Sequence, residues 1–365
     1  MKPVIAVMGG GAIGGYFGGR LAQTGQNVTL IDPWPEHVEA IRARGLHIEG
    51  MTPEEEAVVH LPTMHMTEVQ SFANRQPIDI VFMATKSYDT EWATTMLRPY
   101  LAPGGYVVSL QNCMNEEMVA SVVGWGNTVG CVIMMSSELL GPAHVLRTGG
   151  KQKAPQLEFR FGEVHGRITE RTRRLAEMTQ AFDGAEPTTN LWGERWSKLC
   201  INAIRNGISA ASGLGGNDRD NSPDMRAFAI RVGGEVVRVG QALGYHFDHI
   251  GTLDAEQMAL AAEGDPRAYK IADDWMSDGP SGNARSNLQR PSMAQDIAKG
   301  RRTEIDYING YIAEKALTVG MTAPANLALV KLVREVERGE KQADPSHVAA
   351  LEHQLRARAR APEPA

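Results

Sequence analysis

Residues 4–15 read VIAVMGGGAIGG, and this segment sets the architecture of the N-terminal half. The apolar run from Val4 to Met8 is typical of a buried strand, and glycines 9, 11 and 14 follow it as G-x-G-x-x-G where a helical pattern begins. The first glycine permits a tight turn, the second lets the backbone approach a pyrophosphate, and the third lets helix and strand pack closely. Free N–H groups at the helix start favour phosphate. We therefore predict a dinucleotide-binding loop made of Gly9, Gly10, Gly11, Ala12, Ile13 and Gly14.

The second predicted strand, Asn27 to Asp32, ends in a carboxylate 18 residues after Gly14. A carboxylate at this place in a βαβ unit accepts hydrogen bonds from both ribose hydroxyls of NAD and repels the 2′-phosphate of NADP. Asp32 therefore favours NAD as the cofactor over NADP. The alternative is that Asp32 only begins the turn that continues through Pro33 and Pro35.

The order of strand and helix patterns predicts an α/β Rossmann-like N-terminal domain followed by an all-α C-terminal domain. Strands are expected at Ile78–Ala84 and Tyr106–Leu110, and three later strands are expected to extend the edge of the parallel sheet: Thr128–Met135, His144–Thr148 and Gln156–Gly162. No strand is predicted after Gly162, and amphipathic helices dominate from about Ile168.

The expected boundaries follow from these patterns. They are a Rossmann-type domain at 1–185, a helical substrate and catalytic domain at 186–338, and a charged tail at 339–365 that is either disordered or an exposed helix. The segment 278–291 is rich in glycine and proline and is predicted to be a surface loop able to cover a cleft.

Composition excludes several classes of protein. The formal charge of −6, from 43 acidic against 37 basic residues, argues against nucleic acid or anionic membrane as a partner. Three scattered cysteines predict a reducing cytoplasm, with neither a disulfide framework nor a metal site. His246 and His249 are interpreted as helix-end residues rather than ligands. The N-terminal apolar run is too short for a secretory signal, and no run reaches the roughly 20 residues of a membrane span.

Three polar residues recur every four positions in the segment 196–206: Lys198, Asn202 and Asn206. On a helix they share one face, and their neighbours Leu199, Ile201 and Ile204 are apolar. Amides are poor choices inside a helix unless something binds them, so we interpret this face as part of a binding site. The alternative is an ordinary solvated face.

A second polar group begins with Ser292 and continues to Asp306. Thr303 or a neighbour caps the next helix in this interpretation, which places Glu304 in the first helical turn. The alternative function of Glu304 is to complement the helix dipole, a contribution of roughly 0.3–1 kcal/mol.

The chain resembles the ketopantoate reductase family over nearly all of residues 3–338. Six segments in order carry the resemblance: 9–15, 84–87, 110–112, 161–163, 196–206 and 292–310. The resemblance implies an NAD(P)-dependent enzyme that reduces a 2-keto acid to a 2-hydroxy acid, with 2-dehydropantoate 2-reductase as the leading activity.

The resemblance also implies a role for each candidate residue. Lys198 is the proton donor to the keto oxygen, and Glu304 holds the lysine and the substrate hydroxyl. Four residues are expected to contact substrate or support those that do: Asn202, Asn206, Ser292 and, with an alignment uncertain by one residue, Asn217. Asn112 is expected beside nicotinamide and substrate, and Lys86 at the cofactor edge. Independently, a nearby ammonium suits the negative charge that hydride delivery creates on a keto oxygen.

Two positions depart from the family pattern. Cys113 replaces a usual glycine after Leu110-Gln-Asn, so we expect the backbone there to differ, and Asp32 stands where a basic residue is frequent. Both favour a second hypothesis, an NAD-dependent dehydrogenase of the same family acting on another D-2-hydroxy acid. A third hypothesis, a non-catalytic dinucleotide sensor, is disfavoured because Lys198 and Glu304 are both present. A homodimer through the helical domain is also expected.

Overall fold

The computed structural model describes residues 2–150, 157–277 and 291–360 of the chain. Its contacts divide into two compact units, Met1–Leu191 and Trp192–Ala365. The expected boundary after residue 185 falls six residues short, because a strand at Ala185–Thr188 still pairs within the first unit. The predicted loop at 278–291 lies outside the described residues, apart from Pro291.

The first unit contains an eight-stranded, mostly parallel sheet in the order β12-β11-β8-β7-β6-β1-β2-β5. Only the β8–β11 pair is antiparallel. Its strands are β1 (Val4–Met8), β2 (Asn27–Asp32), β5 (Thr63–His65), β6 (Ile78–Met83), β7 (Leu101–Ser109), β8 (Thr128–Ile133), β11 (Phe159–Glu163) and β12 (Ala185–Thr188). Strand β1 pairs in parallel with both β2 and β6, which explains its unbroken apolar run.

A second sheet of four strands corrects the prediction that His144–Thr148 extends the main sheet. Its order is β4-β3-β10-β9, made of β3 (Leu46–Glu49), β4 (Ala57–Val59), β9 (Ser137–Gly141) and β10 (His144–Arg147). Strand β10 pairs in parallel with β3, a partner 95 or more residues earlier that periodicity alone cannot identify. The prediction of no strand after Gly162 is also wrong, because β12 pairs with β11 at the edge of the main sheet. The strand was missed because it contains Pro187, which is unfavourable inside a sheet but tolerated in an edge strand.

The described residues of the first unit also form five α-helices: α1 (Ala12–Gln23), α2 (Pro35–Arg44), α3 (Thr90–Leu97), α4 (Glu116–Val123) and α5 (Glu170–Gln180). The core on one face of the main sheet is aromatic, with Phe17 packed at 4.7 Å from Phe82 and 5.4 Å from Phe159 between ring centroids. These contacts hold α1 on the sheet and so fix the loop that precedes it.

The described residues of the second unit form helices joined by loops, with one isolated β-bridge between Ile250 and Leu253. The unit contains α6 (Leu191–Ser212), α7 (Gly216–Asn221), α8 (Pro223–Ala242), α9 (Ala255–Glu263), α10 (Pro266–Ser277), α11 (Ser292–Ala298), a π-helical segment at Asp306–Gly310, α12 (Tyr311–Thr318), α13 (Pro324–Glu337) and α14 (Pro345–Arg360). In the described ranges, no helix combines the length and apolarity that crossing a bilayer requires.

Helix α14 occupies most of the segment that we expected to be a disordered tail or an exposed helix. Val348 is fully buried, and Glu352 receives two hydrogen bonds of 2.8 Å from the Arg231 guanidinium on α8. Leu351 and Leu355 are half-buried and follow Val348 at i+3 and i+7, so a short apolar stripe is present that the charged composition of the segment concealed.

Candidate active site

The glycine loop between β1 and α1 is a close-packed turn that opens on one side. Gly9 has φ +100°, and a Cβ at that position would lie 2.8 Å from the carbonyl atoms of Ala84 at the end of β6. A Cβ at Gly14 would collide with the carbonyl oxygen of Gly9. In contrast, a Cβ on Gly11 would meet nothing within 4 Å.

The open side of this loop suits an anion. Helix α1 begins at Ala12 with no side-chain cap on Gly11, and the first N–H groups of a helix have no intrahelical partners. Unsatisfied amides with open space in front of them are the feature that binds a pyrophosphate. The residues present therefore fit the phosphates of a dinucleotide.

Asp32 is more than the first residue of a turn. Its side chain is buried, its Oδ2 accepts a hydrogen bond of 2.6 Å from the Gly10 amide, and its Oδ1 accepts one of 2.8 Å from the Trp34 amide. The carboxylate is thus fixed to the glycine loop. Because each carboxylate oxygen has two lone pairs, both oxygens can still accept a ribose hydroxyl.

The nearby arginines, Arg42 and Arg44, belong to the last turn of α2. Arg42 donates to the Thr63 carbonyl at 3.1 and 3.0 Å and to Glu39 at 2.9 Å. Arg44 donates to the Pro142 carbonyl at 2.8 Å. Arg42 also forms an ion pair with Glu68, just after β5, the strand that pairs with β2. Both guanidinium groups are thus already held by acceptors of the protein.

The loops after β6 and β7 carry Lys86 and Asn112. Buried Gln111 donates from Nε2 to the Thr85 carbonyl at 2.9 Å, which ties the two loops together. Asn115 donates to the Asn112 carbonyl at 2.8 Å and fixes the second loop. Both loops follow the carboxyl ends of neighbouring parallel strands, the edge at which open α/β sheets bind ligands.

The backbone at Cys113 is in a conformation that is rare for residues other than glycine. Cys113 has φ +69°, within the left-handed region that glycine adopts at no steric cost. A residue with a Cβ is strained in this conformation, and the Cys113 side chain is buried.

Helix α6 carries Lys198, Asn202 and Asn206 on one face of the second unit. Asn202 is 6% exposed and Asn206 is 7% exposed, whereas Lys198 is half-buried. Buried amides rule out the simple solvated face, because a buried polar group is costly unless it has hydrogen-bond partners.

Ser292 comes to α6 from a segment 86 residues later. It is the first residue of α11, and its Oγ lies 3.5 Å from the Asn206 Nδ2. Two residues that the sequence predicted separately for substrate binding are therefore neighbours in the second unit.

Glu304 is buried just before a π-helical turn. It is 4% exposed, and its carbonyl accepts hydrogen bonds of 3.0 Å from the Tyr307 and Ile308 amides. The helix then runs as a π-helix over Asp306–Gly310, where the Gly310 amide bonds to the Ile305 carbonyl at 3.0 Å. Isolated π-helical turns occur frequently at functional sites.

This π-helical segment packs directly on α6. Asn309 donates from Nδ2 to the Ala203 carbonyl at 3.3 Å, and a Cβ on Gly207 would lie 3.1 Å from Ile305 Cδ1. The segment that carries Glu304 therefore runs beside the helix that carries Lys198. Asn217 is half-buried on the short helix α7 that follows α6.

The sequence interpretation missed Arg205, which lies three residues after Asn202 on α6. Its side chain is 7% exposed, its nearest carboxylate, Asp220, is 4.0 Å away, and its guanidinium lies 5.7 Å from the Trp275 ring centroid. The sequence signal that could have identified Arg205 is its spacing, because a cation three positions after an amide lies on the same side of a helix. Among the described residues, no three His, Cys, Asp or Glu side chains are arranged to hold a metal ion.

Two family models match this chain, and both describe the same family. "Ketopantoate reductase PanE/ApbA" matches residues 5–157, and "Ketopantoate reductase PanE/ApbA C terminal" matches residues 190–337. The first match lies within the first unit, and the second begins two residues before the second unit and ends before α14.

Curated relatives match along almost their whole length. A 2-dehydropantoate 2-reductase of Pyrococcus horikoshii is 30% identical over 91% of this chain and 97% of its own, and one of Archaeoglobus fulgidus is 28% identical over 92% and 98%. A solved PanE/ApbA family ketopantoate reductase of Ralstonia eutropha JMP134 has a TM-score of 0.74 at 30% identity, covering 93% of this chain and 99% of that one. D-mandelate dehydrogenase, solved with NADH and anilino(oxo)acetate, shares the fold with a TM-score of 0.74 at 24% identity over 93% and 99%.

Proposed function

The chain belongs to the ketopantoate reductase family, and on that premise we propose that it reduces a 2-keto acid to the 2-hydroxy acid with NADH. Members of this family are oxidoreductases that act on a keto group. The observation that carries the proposal is the face of α6, which Lys198 shares with the two buried amides of Asn202 and Asn206.

In this proposal the bound dinucleotide supplies the hydride, and the protein supplies the proton and the orientation. Lys198 neutralises the negative charge that develops on the keto oxygen and then donates the proton that completes the hydroxyl group. Glu304, buried in the adjacent segment, keeps the ammonium charged and oriented. Three residues of the second unit orient the substrate: Asn202, Asn206 and Ser292. Asn112 lies beside the nicotinamide and the substrate.

The cofactor assignment within this proposal rests on Asp32. Its carboxylate is fixed by the Gly10 and Trp34 amides, so a 2′-phosphate would meet a negative charge that cannot move away. The arginines of α2, which could otherwise bind that phosphate, are already held by carbonyl and carboxylate acceptors of the protein. NAD is therefore favoured over NADP.

Ketopantoate is the first substrate to test, because curated relatives that match this chain are named 2-dehydropantoate 2-reductase. A second candidate is another D-2-hydroxy acid of the same reaction class, favoured by Asp32 and by Cys113, the two positions that depart from the family pattern.

Reduced-nicotinamide absorbance decides between these functions. The purified chain is assayed with NADH and with NADPH against ketopantoate, small aliphatic 2-keto acids and an aryl 2-keto acid. We expect NADH oxidation with at least one of them, and the substrate with the largest kcat/KM identifies the physiological class. Dinucleotide binding without turnover on any keto acid would contradict the proposal and favour the sensor.

A further inference from the structure

A stacked pair of aromatic rings lies at the carboxyl end of β2. The Trp34 and His37 rings are nearly parallel, with 6° between their planes and 5.7 Å between their centroids. His37 is fully buried, whereas Trp34 is half-buried. The pair therefore has an inner ring and an outer ring, and part of the outer ring faces solvent.

The inner ring is anchored from the second sheet. His37 Nδ1 accepts a hydrogen bond of 3.0 Å from the Ala143 amide, in the turn between β9 and β10. Ala143 has φ +58°, a left-handed conformation that costs an alanine free energy and persists only where its surroundings require it. Because Nδ1 is an acceptor, the proton of the neutral ring lies on Nε2. Burial lowers the pKa of His37, although the Asp32 carboxylate and the Gly10 backbone oppose that shift.

The outer ring stands beside the residue assigned to the adenosine ribose. The Trp34 amide donates to Asp32 Oδ1 at 2.8 Å, and the His37 Nε2 lies 3.1 Å from the position that a Cβ on Gly10 would take. Pro35 restricts the backbone of Trp34 to the extended region, where it has φ −86° and ψ 106°. The indole is therefore held in place before any ligand arrives.

We propose that Trp34 is the residue on which the adenine of the dinucleotide stacks, and that His37 is a positioning residue that holds the indole for it. Adenine is attached to the ribose carbon next to the one that bears the 2′-hydroxyl, so a ribose bound at Asp32 brings the base to the side chain two residues later. Every purine has a flat π face, and stacking on an indole contributes to binding without hydrogen bonds to the edge of the base. This inference rests on the proposed function, because it assumes that Asp32 binds the ribose.

Equilibrium binding of the two halves of the cofactor tests the proposal without turnover. ADP-ribose carries the adenine, and reduced nicotinamide mononucleotide lacks it. We expect Trp34→Ala and Trp34→Leu to raise the Kd of ADP-ribose roughly 5- to 150-fold and to leave that of the mononucleotide unchanged. Trp34→Phe should retain most of the affinity, because a ring remains. Trp125→Ala, a half-exposed tryptophan elsewhere in the first unit, is the matched control and should change neither Kd.

His37→Phe tests the positioning role. It keeps a ring under the indole and removes the acceptor for the Ala143 amide, so we expect weaker ADP-ribose binding and an unchanged mononucleotide Kd. Tryptophan fluorescence provides the second readout: ADP-ribose should quench it in the wild type and not in Trp34→Phe. An ADP-ribose Kd within twofold of wild type in Trp34→Ala and in Trp34→Leu would overturn the adenine assignment, and the same result in His37→Phe would overturn the positioning role.

The same titration with 2′-phospho-ADP-ribose separates this inference from the proposed function. Preference for the phosphorylated ligand would refute the assignment of NAD through Asp32. In either case, substitution of Trp34 should raise the Kd of both ligands by the same factor, because the phosphate is on the sugar and Trp34 stacks on the base.

Discussion

The glycine loop of the first unit and the polar face of α6 in the second unit are built from different materials. The loop works through backbone: Gly9 and Gly14 are required because a Cβ would meet backbone atoms, and Gly11 leaves space. The α6 face works through side chains, and its neighbours arrive from segments 86 and 106 residues away. A site formed by backbone atoms requires glycines at fixed spacings, which can be recognised in the sequence. A site formed by side chains is visible in the sequence only as polar residue types on one face of a helix.

Replacing Lys198 with alanine is the strongest test of the polar face of α6. The lost ammonium acts on charge that exists only in the transition state, so kcat should fall on the order of 10² to 10⁴-fold with cofactor affinity unchanged. Steady-state kinetics and dinucleotide titration measure the two effects. Lys331→Ala, an exposed lysine on α13, is the control. Retention of more than about a third of wild-type kcat would assign the proton donor to another residue.

Asp32→Ser tests whether a single side chain adds selectivity to the backbone loop. Repulsion and lost hydrogen bonds of roughly 2–4 kcal/mol predict a wild-type preference for NADH of about 30- to 1000-fold in kcat/KM, which this variant should shrink, chiefly by improving NADPH. Asp79→Ser is the matched control, because Asp79 also accepts a backbone amide, that of Val4 at 2.8 Å, but lies at the opposite end of the strands. A wild-type preference for NADPH would refute this role of Asp32.

Two glycine substitutions separate packing from binding within the loop. Gly14→Ala places a Cβ against the Gly9 carbonyl and should lower the free energy of unfolding by roughly 1–3 kcal/mol, with weaker cofactor binding as a consequence. Gly11→Ala meets no atom of the protein, so it should keep the melting temperature and lose dinucleotide affinity alone. Thermal unfolding and dinucleotide titration measure the two effects. Equal losses of stability in both variants would contradict the assignment of Gly11 to ligand approach.

Cys113 gives the smallest expected effect, on stability. Cys113→Gly fits the positive φ and should stay within about 1 kcal/mol of the wild type, whereas Cys113→Val should cost roughly 1–3 kcal/mol because a branched side chain tolerates that backbone poorly. Cys131→Val in β8, where β-branched residues are favoured, is the control for added volume. Denaturant unfolding checks all three, and equal costs for the two valine variants would contradict the strain at Cys113.

The two halves also differ in what could be predicted from the sequence. The family, the Rossmann-like class and the helical second unit were predicted and are confirmed. The second sheet was not, because β3 and β10 pair across almost a hundred residues and carry no local turn signal. The burial of Glu304 was also hidden, since an acidic residue before a helix has the same pattern whether it complements the dipole or faces a neighbouring helix. The Trp34–His37 stack was missed because its anchor, Ala143, belongs to that unpredicted sheet.

The π-helical turn at Asp306–Gly310 also bears on how insertions and deletions in this segment are interpreted. Such a turn holds more residues than an α-helical turn, and it is commonly explained as a one-residue insertion in an α-helix. Deleting one residue there would restore α-helical register and rotate Glu304 by about 100° around the helix axis relative to the residues that follow the turn. A one-residue gap within 306–310 in an aligned relative therefore marks a change in the geometry of the site, even where the glutamate itself is present.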